Sequence, residues 1–454
     1  MNNNEKSMDV FESMPIPKAV MKNALPAMAA MLMVLIYNLA DTFFIGQTDD
    51  ALQVAAVSLA TPVFLIFMAV GTAFGLGGTS VISRALGEGR KEYAKKVCSF
   101  CMWGCIVVGV VMTICFLLFM DPILNLVGAS ADTWDYAESY LTIVVCCGPF
   151  VLIANCYNNV IRTEGESVRA MMGQLIGNLL NVVLDPILIL VLDWGITGAA
   201  IATVIGNVVA ACYYLFYFLR GRSSLSIHPR DFTLRDHVLT SVMAIGIPAA
   251  LGSLLMSISQ IIINSMMSGY SDMAIAGMGV AMKVVMITGM ICMGLGQGVQ
   301  PLLGYCVGAR LWDRFRKVFK FVMIFALLLG IALAAICYIF ANQIVGAFLS
   351  DESAFDYAVQ FTRILLCTSW LFGVYYVLTN ALQAMGAATA SLIINLSRQG
   401  IIFIPALFIL NALIGLTGLV WAQPVADALS FALAIILYVH TWNRLSTAPA
   451  GSPA

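Results

Sequence analysis

The sequence predicts an all-α polytopic membrane protein with twelve transmembrane helices in two pseudo-symmetric six-helix lobes. Three observations carry that prediction. Of 454 residues, 61% are hydrophobic and 10% charged, with a mean hydropathy of +0.93, against roughly 45–50% and about 25% in soluble domains. Twenty of the 23 Lys and Arg fall in the N-terminal tail, the loops after even-numbered spans and the C-terminal tail. Finally, Gly75 to Val97 aligns without gaps on Gly296 to Val318. A net charge of −1 leaves no basic field to neutralise phosphates, which argues against nucleic-acid partners.

Residues 1–22 form a polar tail. Glu5, Lys6, Asp9, Glu12, Lys18 and Lys22 deny it the basic start and short apolar core of a secretory signal, so it is expected to stay on as a cytoplasmic tail. At about 20 apolar residues per span, spans follow at 23–46, 52–82, 97–120, 136–160, 170–192 and 196–219, the N-terminal lobe (23–219). A basic cytoplasmic linker (220–237) leads to spans 238–268, 273–300, 318–346, 355–382, 388–410 and 416–440, the C-terminal lobe (238–440), and to a cytoplasmic tail (441–454). The basic loops hold Arg84, Arg90, Lys91, Lys95 and Lys96, then Arg162 and Arg169, then Arg220, Arg222, Arg230 and Arg235, and a last group from Arg310 to Lys320. The opposite loops carry Asp49, Asp50, Asp121, Asp132, Asp135, Asp193, Asp272, Asp351 and Glu352. By the positive-inside rule both termini are cytoplasmic and the span count is even.

The repeat has an offset of 221: Gly75/Gly296, Gly77/Gly298, Gly87/Gly308 and Lys96/Lys317 coincide, and Pro26 falls near Pro248. Both halves start inside with an even number of spans, so they run parallel about an axis along the membrane normal. Substrate in such duplications passes between halves that rock against each other, which makes alternating-access transport the default reading.

Six ionisable residues fall within spans: Asp41, Asp185, Lys283, Arg363, Arg398 and Asp427. A charge at mid-bilayer costs at least ~2.5–3.5 kcal/mol on insertion scales, so each calls for a partner, a proton or a cavity. Asp41 lies about 7–8 Å from the outer end of span 1 and Asp185 about 12 Å from that of span 5, at 1.5 Å per residue. Around them the first half offers Tyr37, Asn155, Asn158, Asn178, Asn181, Thr203 and Asn207 at helical spacings. Two carboxylates in low-dielectric surroundings cannot both ionise cheaply, so the pair is expected to exchange a proton as a unit, or to bind Na⁺. The bland alternative is that these groups only bond helices together. The second half has a stripe of Ser253, Ser257, Gln260 and Asn264 without a carboxylate. Lys283 and Arg398 have Asp427 as a counter-ion of matching depth, read as a structural ion pair ahead of a substrate contact, and Arg363 can snorkel outward. Asn178, Gln260, Asn264, Met267, Lys283, Met286 and Arg398 are the candidates for lining a substrate cavity, the methionines because flexible thioethers repack around many shapes. The runs Gly71-x-x-x-Gly75 and Gly294-x-x-x-Gly298 read as close helix contacts. Pro26 and Pro248 are expected kinks. The twelve cysteines read as packing thiols, with no metal site expected.

Tyr37-Asn-Leu-Ala-Asp41-Thr-Phe-Phe-Ile-Gly46 with Pro26 upstream, Arg84-x-x-Gly87-x-Gly89 and its repeat at Gly308, and Asn181-x-x-x-Asp185-Pro186 together resemble the multidrug and toxic compound extrusion (MATE) family over essentially the whole chain, and its MepA-like and DinF-like bacterial members most. The resemblance implies an exporter of cationic and amphiphilic organic compounds in exchange for H⁺ or Na⁺, in the cell's inner membrane, with no cofactor. It implies Asp41 as the principal coupling carboxylate, with Asp185, Asn181 and Thr203 as partners and Tyr37, Asn155 and Asn158 as further polar positions, and a bend of helix 1 at Pro26. Transient Na⁺ would sit at Asp41, Asn181, Asp185 and Thr203. Relatives with an ion site in the C-terminal lobe carry an acid on helix 7, where Gln260 and Asn264 stand here. Small organic substrates and membrane lipids are the expected partners, and a monomer the expected state. A lipid or glycolipid flippase of the same layout is the alternative, and would favour a strongly basic cavity. A membrane-embedded enzyme would need a nucleophile–His–acid grouping, which His228, His237 and His440 do not offer.

Overall fold

The computed structural model describes residues 10–47, 51–221, 223–348 and 352–446, and the described residues contain helices and no strand. A bilayer offers no water to backbone groups, so apolar runs must close their hydrogen bonds internally. Ten unbroken helices and two bent pairs are long and apolar enough to cross a membrane. In the first half these are α1 (Ile16–Gly46), α2 (Ala51–Gly87), α3 (Lys91–Leu118), α4 (Trp134–Cys146 with Gly148–Glu164), α5 (Ser167–Val191) and α6 (Gly195–Leu219). The second half repeats the order as α7 (Val238–Met267), α8 (Asp272–Gly308), α9 (Trp312–Ile339), α10 (Ala354–Ser369 with Phe372–Ala384), α11 (Ala388–Ile414) and α12 (Leu416–Ser446). Each of the twelve predicted spans has its helix.

α4 bends by 56° and α10 by 47°, where the sequence reads one straight span each. The bend is built alike in both halves. Pro149 opens the second segment of α4, where its missing N–H and its ring break the ladder, and it packs on Gly109 of α3, whose added Cβ would lie 2.6 Å from the Pro149 Cα. At the repeat offset, Trp370 packs on Gly330 of α9, whose added Cβ would run into the Trp370 carbonyl oxygen.

The chain forms two compact units. Among the described residues, one holds those of 29–250 with 10–14, and the other holds those of 251–446 and also Pro15–Met28, the beginning of α1. Within the second unit, Gly294 and Gly298 of α8 seat Met28 and Ala24, at 2.7 and 2.8 Å from an added Cβ. Within the first, a Cβ added at Gly77 of α2 would run into the Val242 carbonyl of α7, and one added at Gly246 of α7 into the Ala73 carbonyl. Pro26 and Pro248 each lie three residues before the point where their helix passes from one unit to the other. The core of the second unit is built by Ile263 and Met267 of α7, Val284 of α8, Phe361 of α10, Leu407 of α11 and Leu419 of α12.

The linker is tied down along the first unit. Ser99 donates to the His228 carbonyl (2.7 Å), Trp103 to the Ile227 carbonyl (3.2 Å), Phe232 stacks on Phe100 and Lys96 pairs with Asp236 at 2.9 Å. The buried Glu164 carboxylate accepts from the Tyr217 hydroxyl, the Ser223 hydroxyl, and both the Ser224 N–H and hydroxyl, at 2.6–2.9 Å.

Candidate functional site

In the first unit α1 supplies Tyr37 and Asp41, α4 supplies Tyr140, α5 supplies Asn178, Asn181 and Asp185, and α6 supplies Thr203 and Asn207. Spacings of three and four stack each helix's groups on one face. Thr203 is the hub: its hydroxyl accepts from Asn181 Nδ2 at 3.4 Å and its carbonyl from Asn207 Nδ2 at 2.9 Å. Tyr37 and Tyr140 lie close to Thr203, and both lie near Asp41 and Asp185. Asp185 lies within electrostatic reach of Asp41. Asp185 is fully buried and precedes a proline, so the carbonyl one turn back loses its donor, and α5 continues through a π-helical turn at Pro186–Val191, a feature common at functional sites.

Four acceptor oxygens here are buried without a hydrogen-bond partner: Asp41 Oδ1, Asn181 Oδ1 and both oxygens of Asp185. An ionised carboxylate accepts and cannot donate, and a buried acceptor without a donor costs about 1–3 kcal/mol, more when charged. A proton or a cation resolves that arrangement. Toward the acidic end of the helices a cavity of about 490 Å³ is lined by Gln47, Asp135, Tyr136, Ile189, Asp193 and Trp194 among others. Ile189 stands one turn beyond Asp185 on the same helix.

The structure therefore brings together Tyr37, Asp41, Asn181, Asp185 and Thr203. It places Asn178 beside them on α5, its Oδ1 accepting from Gln174 at 3.2 Å. Asn155 and Asn158 bond elsewhere. Asn155 Nδ2 returns to the Val151 carbonyl (2.9 Å) and its Cβ would meet one added at Gly71, while Asn158 Oδ1 accepts from the fully buried Arg162 at 3.0 Å. Tyr140 is a site residue that sequence reasoning missed. Its signal was depth: it lies five residues past Asp135, at about the level of Asp41 by helical rise.

In the second unit Gln260 donates to Asn264 Oδ1 at 3.1 Å, Met267 is fully buried in the core, and Met286 is half-buried. Arg398 Nε bonds Asp427 Oδ1 at 2.8 Å, Gln423 Nε2 reaches the same oxygen at 2.9 Å, and Arg398 Nη1 reaches the Tyr376 hydroxyl at 3.4 Å. Asp427 serves Arg398; Lys283 is exposed and lies over the Phe348 ring at 5.8 Å. Arg363 points to Asn342 and the Tyr338 ring.

The MatE family model matches residues 26–187 and 248–409. The multidrug export protein MepA of Staphylococcus aureus (strain NCTC 8325 / PS 47) is 34% identical over 438 residues, covering 96% of each chain. A multidrug resistance MATE family transporter of the MOP superfamily, solved in an outward-facing conformation, superposes with a TM-score of 0.91 at 25% identity, covering 97% of this chain and 98% of that one. A MATE protein solved in the straight conformation superposes with a TM-score of 0.90 over the same shares.

Proposed function

The chain belongs to the MatE family, and from that premise we propose that it is a secondary active multidrug exporter, moving cationic and amphiphilic organic compounds out of the cell against H⁺ or Na⁺. It works as a monomer in the inner membrane with both termini cytoplasmic, and its energy comes from an ion gradient rather than a cofactor. The observation that carries this reading is the set of four buried, donor-less oxygens on Asp41, Asn181 and Asp185. A cation or proton would stabilise such a set, so its occupancy can bias which face of the molecule is open. Outward exposure loads the pair and releases drug; inward exposure unloads it and lets drug rebind. Coupling is competition between ion and substrate for mutually exclusive states. Asn178, Gln260, Asn264, Lys283 and Met286 are the substrate-lining candidates that remain, Met267 lying in the core and Arg398 being engaged by Asp427. That engagement also disfavours a flippase, which would want its basic groups available to an anionic headgroup.

The test replaces Asp41 by Asn and follows drug efflux from proteoliposomes under an imposed pH gradient, and separately under a Na⁺ gradient at clamped pH and voltage. Loss of gradient-driven efflux at unchanged protein level is expected. Unimpaired efflux under both gradients overturns the assignment.

A further inference from the structure

We propose that Arg398 is a tethered cation: its guanidinium occupies the second lobe's counterpart of the first lobe's ion pocket, so that one lobe is charge-balanced from solution and the other from the chain itself. The inference rests on the reading of Asp41 and Asp185 as the coupling acids.

The repeat lays the α6 side of the first lobe's polar cluster on the Arg398 site, while Asp185 itself falls on the stretch 405–407, which has no acid. At the offset of 221, Asn155 of α4, which lies outside the Asp41–Asp185 cluster, falls on Tyr376 of α10. Thr197-Gly198 matches Thr417-Gly418 at 220, which puts Thr203 on Gln423 and Asn207 on Asp427. On α5 and α11 the same range of offsets, up to the 222 between the two family-model matches, carries Asn178 onto 398–400, the stretch that begins with Arg398. Arg398 sits in a π-helical turn of α11 at Ser397–Ile401, whereas the π-helical turn of α5 at Pro186–Val191 does not coincide with it at the repeat offset. Within α6 Asn207 bonds back to Thr203, and within α12 Gln423 bonds to Asp427.

The source of positive charge is what differs. The first pocket presents acceptor oxygens with no donor. In the second, the guanidinium carbon of Arg398 lies 4.8 Å from the centre of the Phe372 ring, 5.0 Å from that of Tyr375 and 5.8 Å from that of Tyr376, while Nε binds the Asp427 carboxylate. Three aromatic faces and one acid are what a free organic cation would need for binding, and a planar guanidinium fits such a cage better than an ammonium. Asp427 Oδ1 is taken by Arg398 and Gln423, and Oδ2 stays buried without a partner. A cation carried by the backbone cannot exchange with bulk, so the second lobe takes up no ion during the cycle.

Chemical rescue tests this. Arg398→Ala removes the head group and leaves the aromatic rings and Asp427. Methylguanidinium at millimolar concentration is then expected to raise the melting temperature of the purified variant in a saturable way. Urea at equal concentration is expected not to, and neither the wild type nor the R398A/D427N double variant is expected to respond to methylguanidinium. No saturable rise in Arg398→Ala, or an equal rise in the double variant, overturns the proposal. Where Arg398→Ala does not accumulate in folded form, R398A/D427N decides. It lacks the uncompensated buried charge and is expected to accumulate, whereas equal failure of both overturns the proposal. Melting needs no transport, so this outcome is independent of the Asp41 assignment, which is read from gradient-driven efflux.

Discussion

Asp185 has both carboxylate oxygens buried without a donor, and an amide in its place would bring its own N–H₂ to the same cluster of acceptors. Asp185→Asn is therefore expected to melt no lower than the wild type in detergent, while ion-driven efflux falls at least about tenfold, the equivalent of roughly 1.4 kcal/mol of lost coupling. A helix-bonding role would give the opposite signature, a lower melting temperature with efflux reduced only in proportion to folded protein. The acids were legible in the sequence because insertion cost makes any intramembrane carboxylate conspicuous. Tyr140 was not, since tyrosine also sits comfortably near membrane interfaces with one polar end. Asn155 and Asn158 show the limit of spacing arguments: periodicity gives the face of a helix, but the partner on that face was α2 for Asn155 and, for Asn158, Arg162 one turn along its own helix.

Among the elements, the linker departs most from its sequence reading as a basic loop. Its anchors run from side chains on α3 to backbone carbonyls at Ile227 and His228, and a carbonyl acceptor leaves no mark on sequence. Glu164 holds the other end with four donors, and hydrogen bonds to a charged group contribute about 1.5–3 kcal/mol each. Glu164→Gln keeps one acceptor oxygen and turns the other into a donor facing donors. The first part of the linker should then detach more often, and trypsin should cut at Arg230 and Arg235 in inside-out vesicles roughly tenfold faster, corresponding to about 1.4 kcal/mol. Unchanged cleavage would assign the strap to its α3 contacts alone. The bends of α4 and α10 were also illegible as bends. Pro149 signals one of them, but Trp370 signals nothing until Gly330 is seen to admit its backbone.

Across the whole chain, every predicted span met a helix because hydropathy and charge alternation are independent records of the same topology. The helices outrun the spans at the basic end: α2 continues to Gly87, α8 to Gly308, and α9 begins at Trp312. Apolarity stops where cations enter the headgroup layer, whereas the backbone ladder continues through it. Those cations are expected to set orientation. Lys and Arg near span ends resist translocation while Asp and Glu contribute little, and the loops after odd-numbered spans carry essentially none of the chain's 23. Cysteine labelling in intact cells reads the result, in a background where the exposed Cys115, Cys146, Cys212 and Cys367 are serine. A cysteine at Asp132, between α3 and α4, is expected to react with a membrane-impermeant maleimide from outside. One at Arg230, in the linker, is expected to react only after permeabilisation. Reaction of the Arg230 position in intact cells would invert the topology and, with it, the direction in which the Asp41–Asp185 pair is loaded.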